Sequence, residues 1–267
     1  MTHLWVRAEQ RENEERVGIT PDGVAQLITA GMRVTVEESA TRILPDADYA
    51  ETGCDMALEN SWPDAPRDAI VFGLKELPDD GTPLPHRHIM FGHAFKGQFA
   101  GQALLKRFKA GGGTLLDIEY LVEPDGRRVA AFGYWAGYAG AAVSLKAWAA
   151  QTSGATCPPV STWRDKDALL TELAEDMAGR RPSAIVIGAL GRVGTGAADL
   201  CEVMGITPTH WDMAETQSGG PFPEILEHDL FFNCILARPS TPQFVPRSAV
   251  SAARKLSVVG DIACDPD

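Results

Sequence analysis

A glycine-rich turn between an apolar segment and a helix constrains this chain more than any other feature. Residues 184–187 are apolar, residues 188–194 carry glycine at Gly188, Gly191 and Gly194, and residues 197–204 have helical spacing. Glycines at such a turn let the backbone approach the pyrophosphate of a dinucleotide, whose charge the helix N-terminus stabilises. The sequence therefore predicts a dinucleotide-binding strand, turn and helix. The alternative is a tight strand-to-helix turn that binds no ligand.

Two residues near this turn bear on the choice of dinucleotide. Asp212 ends the next apolar segment, about 20 residues after the turn, where a carboxylate binds ribose hydroxyls and repels a 2′-phosphate. It favours NAD over NADP, whereas Arg192, directly after Gly191, leaves a contact with a phosphate open. The turn also departs from the usual G-x-G-x-x-G pattern, because Ala189 takes the first glycine position.

Composition excludes several other classes of protein. The 267 residues carry 24 Lys and Arg against 36 Asp and Glu, a formal charge of -12 that argues against binding nucleic acid. The 5 cysteines are scattered and form no C-x-x-C pair, so we expect no metal site and a reducing, cytoplasmic location. The N-terminus lacks the pattern of a signal peptide, and the Ala-rich segment 137–150 is too short for a membrane span.

Apolar segments alternate with helical periodicity along the whole chain. This pattern predicts two Rossmann-like, doubly wound parallel-sheet α/β domains with a cleft between them. The expected boundaries are 1–135 for a substrate domain and 136–267 for an NAD-binding domain, with a long linking helix over about 133–152. One further helix is expected to start at Thr20-Pro21. Others are expected over 98–110, 165–177 and 248–255. Expected strands cover 4–6, 33–36, 69–72, 88–91, 114–118, 184–187, 207–211, 230–236 and 256–261.

The second domain has fewer predicted strands than a complete nucleotide-binding domain. About four strands follow from residue 184 onward, whereas a doubly wound dinucleotide domain usually has six. The expectation at this stage is a domain shortened at its C-terminal part.

Three polar residues follow predicted strands of the first domain. Lys75 follows the segment 70–74, His93 follows 89–92, and Arg16 lies between the first strand and the first helix. In open parallel sheets, ligands bind beyond the carboxyl ends of the strands. Lysine and histidine can transfer protons, and arginine can hold a carboxylate through two hydrogen bonds. The three predict a cationic site for an anionic substrate, although each alone is also typical of a solvated loop, a cap or a surface ion pair.

Several motifs together resemble one enzyme family, the NAD-dependent, lysine-forming saccharopine dehydrogenases. They are Trp5-Val-Arg-Ala-Glu9, Arg16-Val-Gly-Ile-Thr-Pro21, Gly73-Leu-Lys-Glu76, His93-Ala-Phe-Lys96, Gly126-Arg-Arg-Val-Ala-Ala-Phe-Gly133, the glycine turn, Trp211-Asp212 and Gly219-Gly-Pro-Phe222. The resemblance covers nearly the whole chain. The wider group includes alanine dehydrogenase and the nucleotide-binding subunit of transhydrogenase.

The resemblance implies a reaction and a role for each matching residue. The family converts saccharopine, NAD and water reversibly to lysine, 2-oxoglutarate, NADH and a proton. Lys75 resembles the base that takes a proton from the secondary amine, and His93 the acid–base group that serves imine hydrolysis. The residues that resemble substrate contacts are Arg16, Gln98, Phe132, Asp261, Ile262 and Ala263. Those that resemble cofactor contacts are Arg127, Gly188, Gly191, Arg192, Gly194, Asp212, Thr216 and Gly260.

Other functions remain open at this point. A relative that acts on another amino acid or opine, such as an alanine dehydrogenase, would share these features, because pocket residues set the substrate. In the family the chain continues beyond this length and returns to the first domain. A catalytically inactive, shortened NAD-binding protein is therefore the alternative outside the enzymes.

Overall fold

The computed structural model describes residues 1–95, 99–236 and 241–263. The chain divides into two compact units, Met1–Ala130 and Ala131–Asp267. The boundary expected between residues 135 and 136 lies inside the first helix of the second unit, which spans Gly133–Thr152.

Unit 1 is built on a parallel sheet with helices between the strands. In chain order its elements are β1 His3–Val6, α1 Pro21–Thr29, β2 Arg33–Glu37, α2 Asp46–Ala50, β3 Asp55–Ala57, β4 Ile70–Phe72, β5 Arg87–Met90, α3 Phe99–Gly111 and β6 Thr114–Asp117. The described strands lie in the order β3-β2-β1-β4-β5-β6, and every pair is parallel. This confirms the doubly wound α/β class, and the order reverses at β1 and β4, where such sheets bind ligands.

Local signals in the sequence explain where α1 begins. Thr20 has extended backbone, and its side chain accepts a hydrogen bond from the Gly23 backbone N–H at 3.2 Å. Pro21 occupies the first helical turn, where its missing N–H costs nothing, and Asp22 complements the helix dipole. The predicted start of this helix is thus confirmed. Strand β3 was not predicted, because Asp55–Ala57 is short and has no apolar run.

Unit 2 has a second, smaller parallel sheet. Its elements are α4 Gly133–Thr152, α5 Lys166–Met177, β7 Ala184–Ile187, α6 Arg192–Val203, β8 Thr209–Trp211, α7 Met213–Thr216, α8 Pro223–Leu226, β9 Leu230–Asn233 and β10 Val258–Asp261. The order of the described strands is β10-β9-β7-β8, all parallel. The strand expected over 230–236 ends at Asn233.

The prediction of a helix over 248–255 is wrong. A short 3₁₀ turn covers Arg247–Ser251, and Ala252 returns to extended backbone. The backbone N–H of Lys255 then donates to the Leu226 carbonyl at 2.8 Å, so this segment finds its hydrogen bond outside a helix. A tertiary contact of this kind overrides local helix propensity.

Glycines explain the close packing of α4 on α6 within unit 2. A Cβ added at Gly137 would lie 1.9 Å from the Val193 carbonyl oxygen, and one added at Gly196 would lie 1.9 Å from the Tyr134 carbonyl oxygen. The helix backbones therefore touch at positions where only glycine fits. This contact fixes α6, and with it the turn that precedes it. Within the described residues, no helix is long and apolar enough to cross a membrane.

His88 makes the stability of unit 1 dependent on pH. Its ring lies on β5 between Trp62 and Phe108, with ring centroids at 5.1 Å and 5.4 Å, and it is almost fully buried. Burial, with smaller contributions from Arg7 and His86, lowers the pKa of His88 from 6.5 to about 3. The folded state therefore holds this histidine neutral, whereas the unfolded chain protonates it below pH 6.5.

We expect the free energy of unfolding to decrease as the pH falls from 6.5 towards 3, because the unfolded state gains the proton first. The contribution of His88 amounts to about 2 kcal/mol at pH 5. Urea titrations of wild type and His88→Leu between pH 4 and 8 measure it as the difference in slope. The matched control is His210→Leu, on an exposed histidine of β8. Equal slopes for wild type and His88→Leu would contradict the prediction.

Candidate active site

The first half of the candidate site lies at the carboxyl edge of the unit 1 sheet. Lys75 follows β4 and His93 follows β5, and these strands pair directly with each other. Glu9 follows β1 on one side of this pair, and Glu119 follows β6 on the other. The structure therefore places Lys75 and His93 after adjacent strands, with Glu9 and Glu119 after the strands on either side.

His93 has an unusual backbone conformation, and two carboxylates lie near its ring. Its φ of 47° lies in the left-handed region, which a non-glycine residue adopts at a free-energy cost of about 1 kcal/mol or more. Its Nδ1 lies 3.1 Å from the Glu119 carboxylate, and its Nε2 lies 3.9 Å from that of Glu76. The Phe91 ring stacks on the imidazole. Strain of this kind at a strand end is typical of a side chain held for a function.

Arg16 is oriented by Glu14. The guanidinium donates from Nε at 2.7 Å and from Nη2 at 2.6 Å to the two carboxylate oxygens of Glu14, which is itself buried. These hydrogen bonds lower the pKa of Glu14 despite its burial, and Lys75 is near enough to add to the lowering. Arg16 is thus paired with Glu14, and Lys75 lies near enough to affect the same carboxylate.

Other residues expected in unit 1, or beside it, have less defined surroundings. Arg127 is exposed and pairs with Asp125 at 2.7 Å in the turn before unit 2. Arg128 lies 3.6 Å from Glu119, the carboxylate that holds His93. Phe132 caps α4, with its carbonyl accepting from the Ala136 N–H at 2.8 Å, and its ring is 44% exposed. Gln98 lies outside the described residues.

The glycine turn of unit 2 has the shape that the sequence predicts. Strand β7 is buried along its whole length, and Gly188 follows it with a φ of 87°. A Cβ at Gly194 would lie 2.1 Å from the Gly188 carbonyl oxygen, so the turn and α6 pack in backbone contact. A Cβ at Gly191 would meet nothing closer than 3.4 Å, because this residue faces open space at the N-terminus of α6. A ligand can therefore approach the backbone at Gly191.

Asp212 joins this turn to the end of β8. Its carboxylate accepts hydrogen bonds from the Leu190 N–H at 3.0 Å and the Met213 N–H at 2.8 Å. Two oxygens offer about four acceptor positions, so the carboxylate retains capacity for ribose hydroxyls. Thr216 donates to the Asp212 carbonyl at 2.8 Å. Arg192, the first residue of α6, is exposed.

A cavity of about 750 Å³ lies next to this turn. Gly188, Gly191, Asp212 and Thr216 line it together with apolar residues such as Ile235 and Phe244. An open backbone at a helix N-terminus, an acceptor at the next strand end and a cavity within the usual size for cofactor sites fit a dinucleotide. The groups that line this cavity therefore fit NAD.

The residues expected at the end of β10 have different surroundings from one another. Gly260 is buried against α4, since a Cβ there would lie 2.4 Å from the Ser144 Oγ. Asp261 is exposed and accepts from the Asn233 side-chain amide at 2.9 Å. The N–H groups of Ile262 and Ala263 reach the Asn233 carbonyl at 3.0 Å and 3.3 Å. This strand end thus lies beside that of β9, at the carboxyl edge of the second sheet.

The carboxylates that contact Arg16, His93 and the Lys75 backbone were not singled out from the sequence. Glu14, Glu76 and Glu119 each contact Arg16 or His93, and Glu9 contacts the backbone at Lys75. Glu119 had a usable signal, because it follows the strand next to that of His93. Glu14 and Glu76 had a weaker one, in that each lies within two residues of a predicted site residue.

Comparisons with known proteins show which sequences this chain resembles. The family described as "Alanine dehydrogenase/PNT, N-terminal domain" matches residues 5–139. The saccharopine dehydrogenase [NAD(+), L-lysine-forming] of Emericella nidulans is 44% identical over 98% of this chain and 74% of the relative. That of Neurospora crassa is 43% identical over 99% and 74%.

Solved structures share the fold. An L-alanine dehydrogenase superposes with a TM-score of 0.57 at 17% identity, covering 96% of this chain and 72% of that one. A transhydrogenase from Sinorhizobium meliloti has a TM-score of 0.54 at 14% identity, covering 96% and 75%. At these identities the likeness shows the Rossmann-type fold alone.

Proposed function

The chain belongs to the family of NAD-dependent, L-lysine-forming saccharopine dehydrogenases, and we propose from this premise how its side chains carry out the reaction. It is an NAD-dependent oxidoreductase that acts on a CH–NH donor. Saccharopine is oxidised at the carbon next to its secondary amine, and the imine is hydrolysed to lysine and 2-oxoglutarate. The observation that carries the proposal is that Lys75 and His93 follow adjacent parallel strands at one sheet edge, with the Arg16–Glu14 pair in the segment that follows β1.

Lys75 accepts a proton from the secondary amine of saccharopine. The nitrogen lone pair must be free before hydride leaves the adjacent carbon, so a base at this nitrogen lowers the barrier. Lys75 is half-buried and follows β4, at the carboxyl edge of the sheet. Glu14 fixes the plane of the Arg16 guanidinium through two hydrogen bonds. Arg16 then binds a substrate carboxylate through two further hydrogen bonds.

His93 serves the hydrolysis of the imine. With its Nδ1–H donating to Glu119, Nε2 remains as the nitrogen that takes a proton from the attacking water. His93 then returns this proton to the amine nitrogen, which leaves as the side-chain amine of lysine. Glu119 keeps the ring orientation through both transfers.

Unit 2 binds the cofactor, and NAD supplies the hydride acceptor when bound. Gly191 offers its backbone to the pyrophosphate, the N-terminus of α6 stabilises the charge, and Asp212 binds the ribose hydroxyls. Gly188 and Gly194 shape the turn, and Arg192 and Thr216 lie close enough in sequence to add polar contacts. Arg127 and Gly260 complete the proposed cofactor set, and Gln98, Phe132 and Asp261–Ala263 the substrate set.

The proposed location rests on the scattered cysteines, and the proposed partners rest on the family and the net charge. We expect the protein in the cytoplasm, with small molecules rather than nucleic acid or membranes as its ligands. The charge of -12 supports this expectation, because it repels a polyanion.

The assay that tests the proposed function is NADH oxidation with two substrate pairs. We expect turnover with lysine plus 2-oxoglutarate and none above background with pyruvate plus ammonia. Turnover with the second pair alone would assign the chain to alanine dehydrogenase activity. NADH binding without turnover of either pair would contradict both enzymatic functions.

A further inference from the structure

Two residues after β1 hold the loop that presents Lys75. We propose that Arg7 and Glu9, here called the latch, are positioning residues that set the rate of proton transfer by fixing the backbone of Lys75. This inference rests on the proposed role of Lys75 as the base. It concerns residues that touch neither the reacting amine nor the cofactor.

Glu9 binds the loop from one side. Its Oε1 accepts the Leu74 N–H at 2.5 Å, and its Oε2 accepts the Lys75 N–H at 2.9 Å. One carboxylate thus satisfies two successive backbone donors, which fixes the orientation of both peptide planes. The Glu9 side chain is only 9% exposed, so water does not compete effectively for these bonds.

Arg7 binds the same loop from beneath. Its guanidinium donates to the Lys75 carbonyl and, at 2.9 Å, to the Ala8 carbonyl, and its side chain is fully buried. A Cβ added at Gly73 would lie 2.3 Å from its Nε, so the loop rests directly on the guanidinium. Arg7 also lies 3.4 Å from Glu9, which balances its charge. The latch therefore holds the N–H and the C=O of Lys75 at once.

The side chain of Lys75 explains why such a latch matters. Among the described residues, its side-chain nitrogen has no hydrogen bond or ion pair that would fix it. A base that must exchange protons is better placed through its backbone than through bonds to its own nitrogen, since such bonds would compete with the substrate. The position of the amine is then set by the position of the Lys75 Cα. Displacement of a catalytic group by about 1 Å can cost about 100-fold in rate.

A double-mutant cycle tests the latch. Glu9→Gln keeps the shape but turns an amide NH₂ towards one of the two N–H donors, so that bond is lost. We expect kcat to fall roughly 10- to 100-fold, with the Km for lysine and 2-oxoglutarate changing less than about threefold. In a Lys75→Met background, whose residual activity is the reference, Glu9→Gln should have no further effect, because the group it positions is absent.

The control is a carboxylate with the same kind of contact in unit 2. Asp229 accepts the Ser183 N–H at 2.8 Å and its hydroxyl at 2.7 Å, ahead of β7 and β9. Asp229→Asn should lower the melting temperature but leave kcat unchanged per folded molecule. If Glu9→Gln does not fold, Gly73→Ala replaces it, since the added methyl pushes the loop off Arg7 without removing a charge.

Each outcome separates the latch from the proposed function. An equal loss from Glu9→Gln in both backgrounds overturns the latch, because Glu9 then acts on the fold in general. A rise in Km at unchanged kcat also overturns it, and points to Arg16 instead. Loss of activity in Lys75→Met with a fully active Glu9→Gln refutes the latch alone. An active Lys75→Met refutes the role of Lys75 and the inference with it.

Discussion

Lys75→Met is expected to lower kcat by roughly 10²- to 10⁴-fold, the usual contribution of a general base. Methionine has nearly the length of lysine and no titratable nitrogen, so the secondary amine loses its proton acceptor while the loop keeps its shape. The Kd for NADH should change less than about twofold, because the proposed cofactor contacts at the glycine turn are left intact. Steady-state rates with lysine and 2-oxoglutarate, and NADH fluorescence titrations, measure the two quantities.

Lys109→Met is the matched control for this substitution. Lys109 is exposed in the last turn of α3, in the same unit, and contributes to none of the contacts at the sheet edge. Its replacement should leave kcat unchanged, so a loss confined to Lys75→Met identifies the base. If Lys75→Met instead raises the Kd for NADH strongly and keeps its turnover at saturating cofactor, Lys75 belongs to the cofactor site and its assignment as the base is wrong.

The placement of Lys75 and His93 at one sheet edge was predictable because parallel sheets impose it. Lys75 and His93 each follow a short apolar segment in the sequence, and the carboxyl ends of parallel strands meet at one edge. No side-chain detail is needed for that prediction. The glycine turn was predictable for a similar reason, since Gly188 and Gly194 each satisfy a local steric requirement. Topology and local backbone geometry are the parts of a site that a sequence expresses directly.

The carboxylates that contact these two residues were not predictable in the same way. Glu9 contacts a loop 65 residues further along the chain, and Glu119 contacts a ring 26 residues before it. Such pairings depend on the strand order, in which β1 lies next to β4 and β6 next to β5. The prediction of a helix over 248–255 failed for the same reason, because the Lys255 N–H donates to the distant Leu226 carbonyl instead of to a helical partner. Long-range partners become visible only when the order of the strands is known.

A pair of glycine-to-alanine substitutions in the turn should separate its shape from its function. In Gly194→Ala the new methyl would lie 2.1 Å from the Gly188 carbonyl oxygen, which is backbone and cannot move aside cheaply. We expect the free energy of unfolding to fall by about 1 to 3 kcal/mol or more, as in other overpacked sites. NADH binding should weaken with it, because the turn and α6 must separate.

Gly191→Ala makes the same chemical change where the fold has room for it. The methyl would meet nothing closer than 3.4 Å, and the φ of -77° suits alanine. The free energy of unfolding should therefore change by at most about 1 kcal/mol, the cost of alanine at a helix N-cap. The methyl nevertheless occupies the space where the backbone would meet the pyrophosphate, so NADH affinity should fall about tenfold or more. Urea denaturation and fluorescence titration of both variants give the comparison. A Gly191→Ala protein that binds NADH as tightly as wild type would show that the pyrophosphate does not approach this residue.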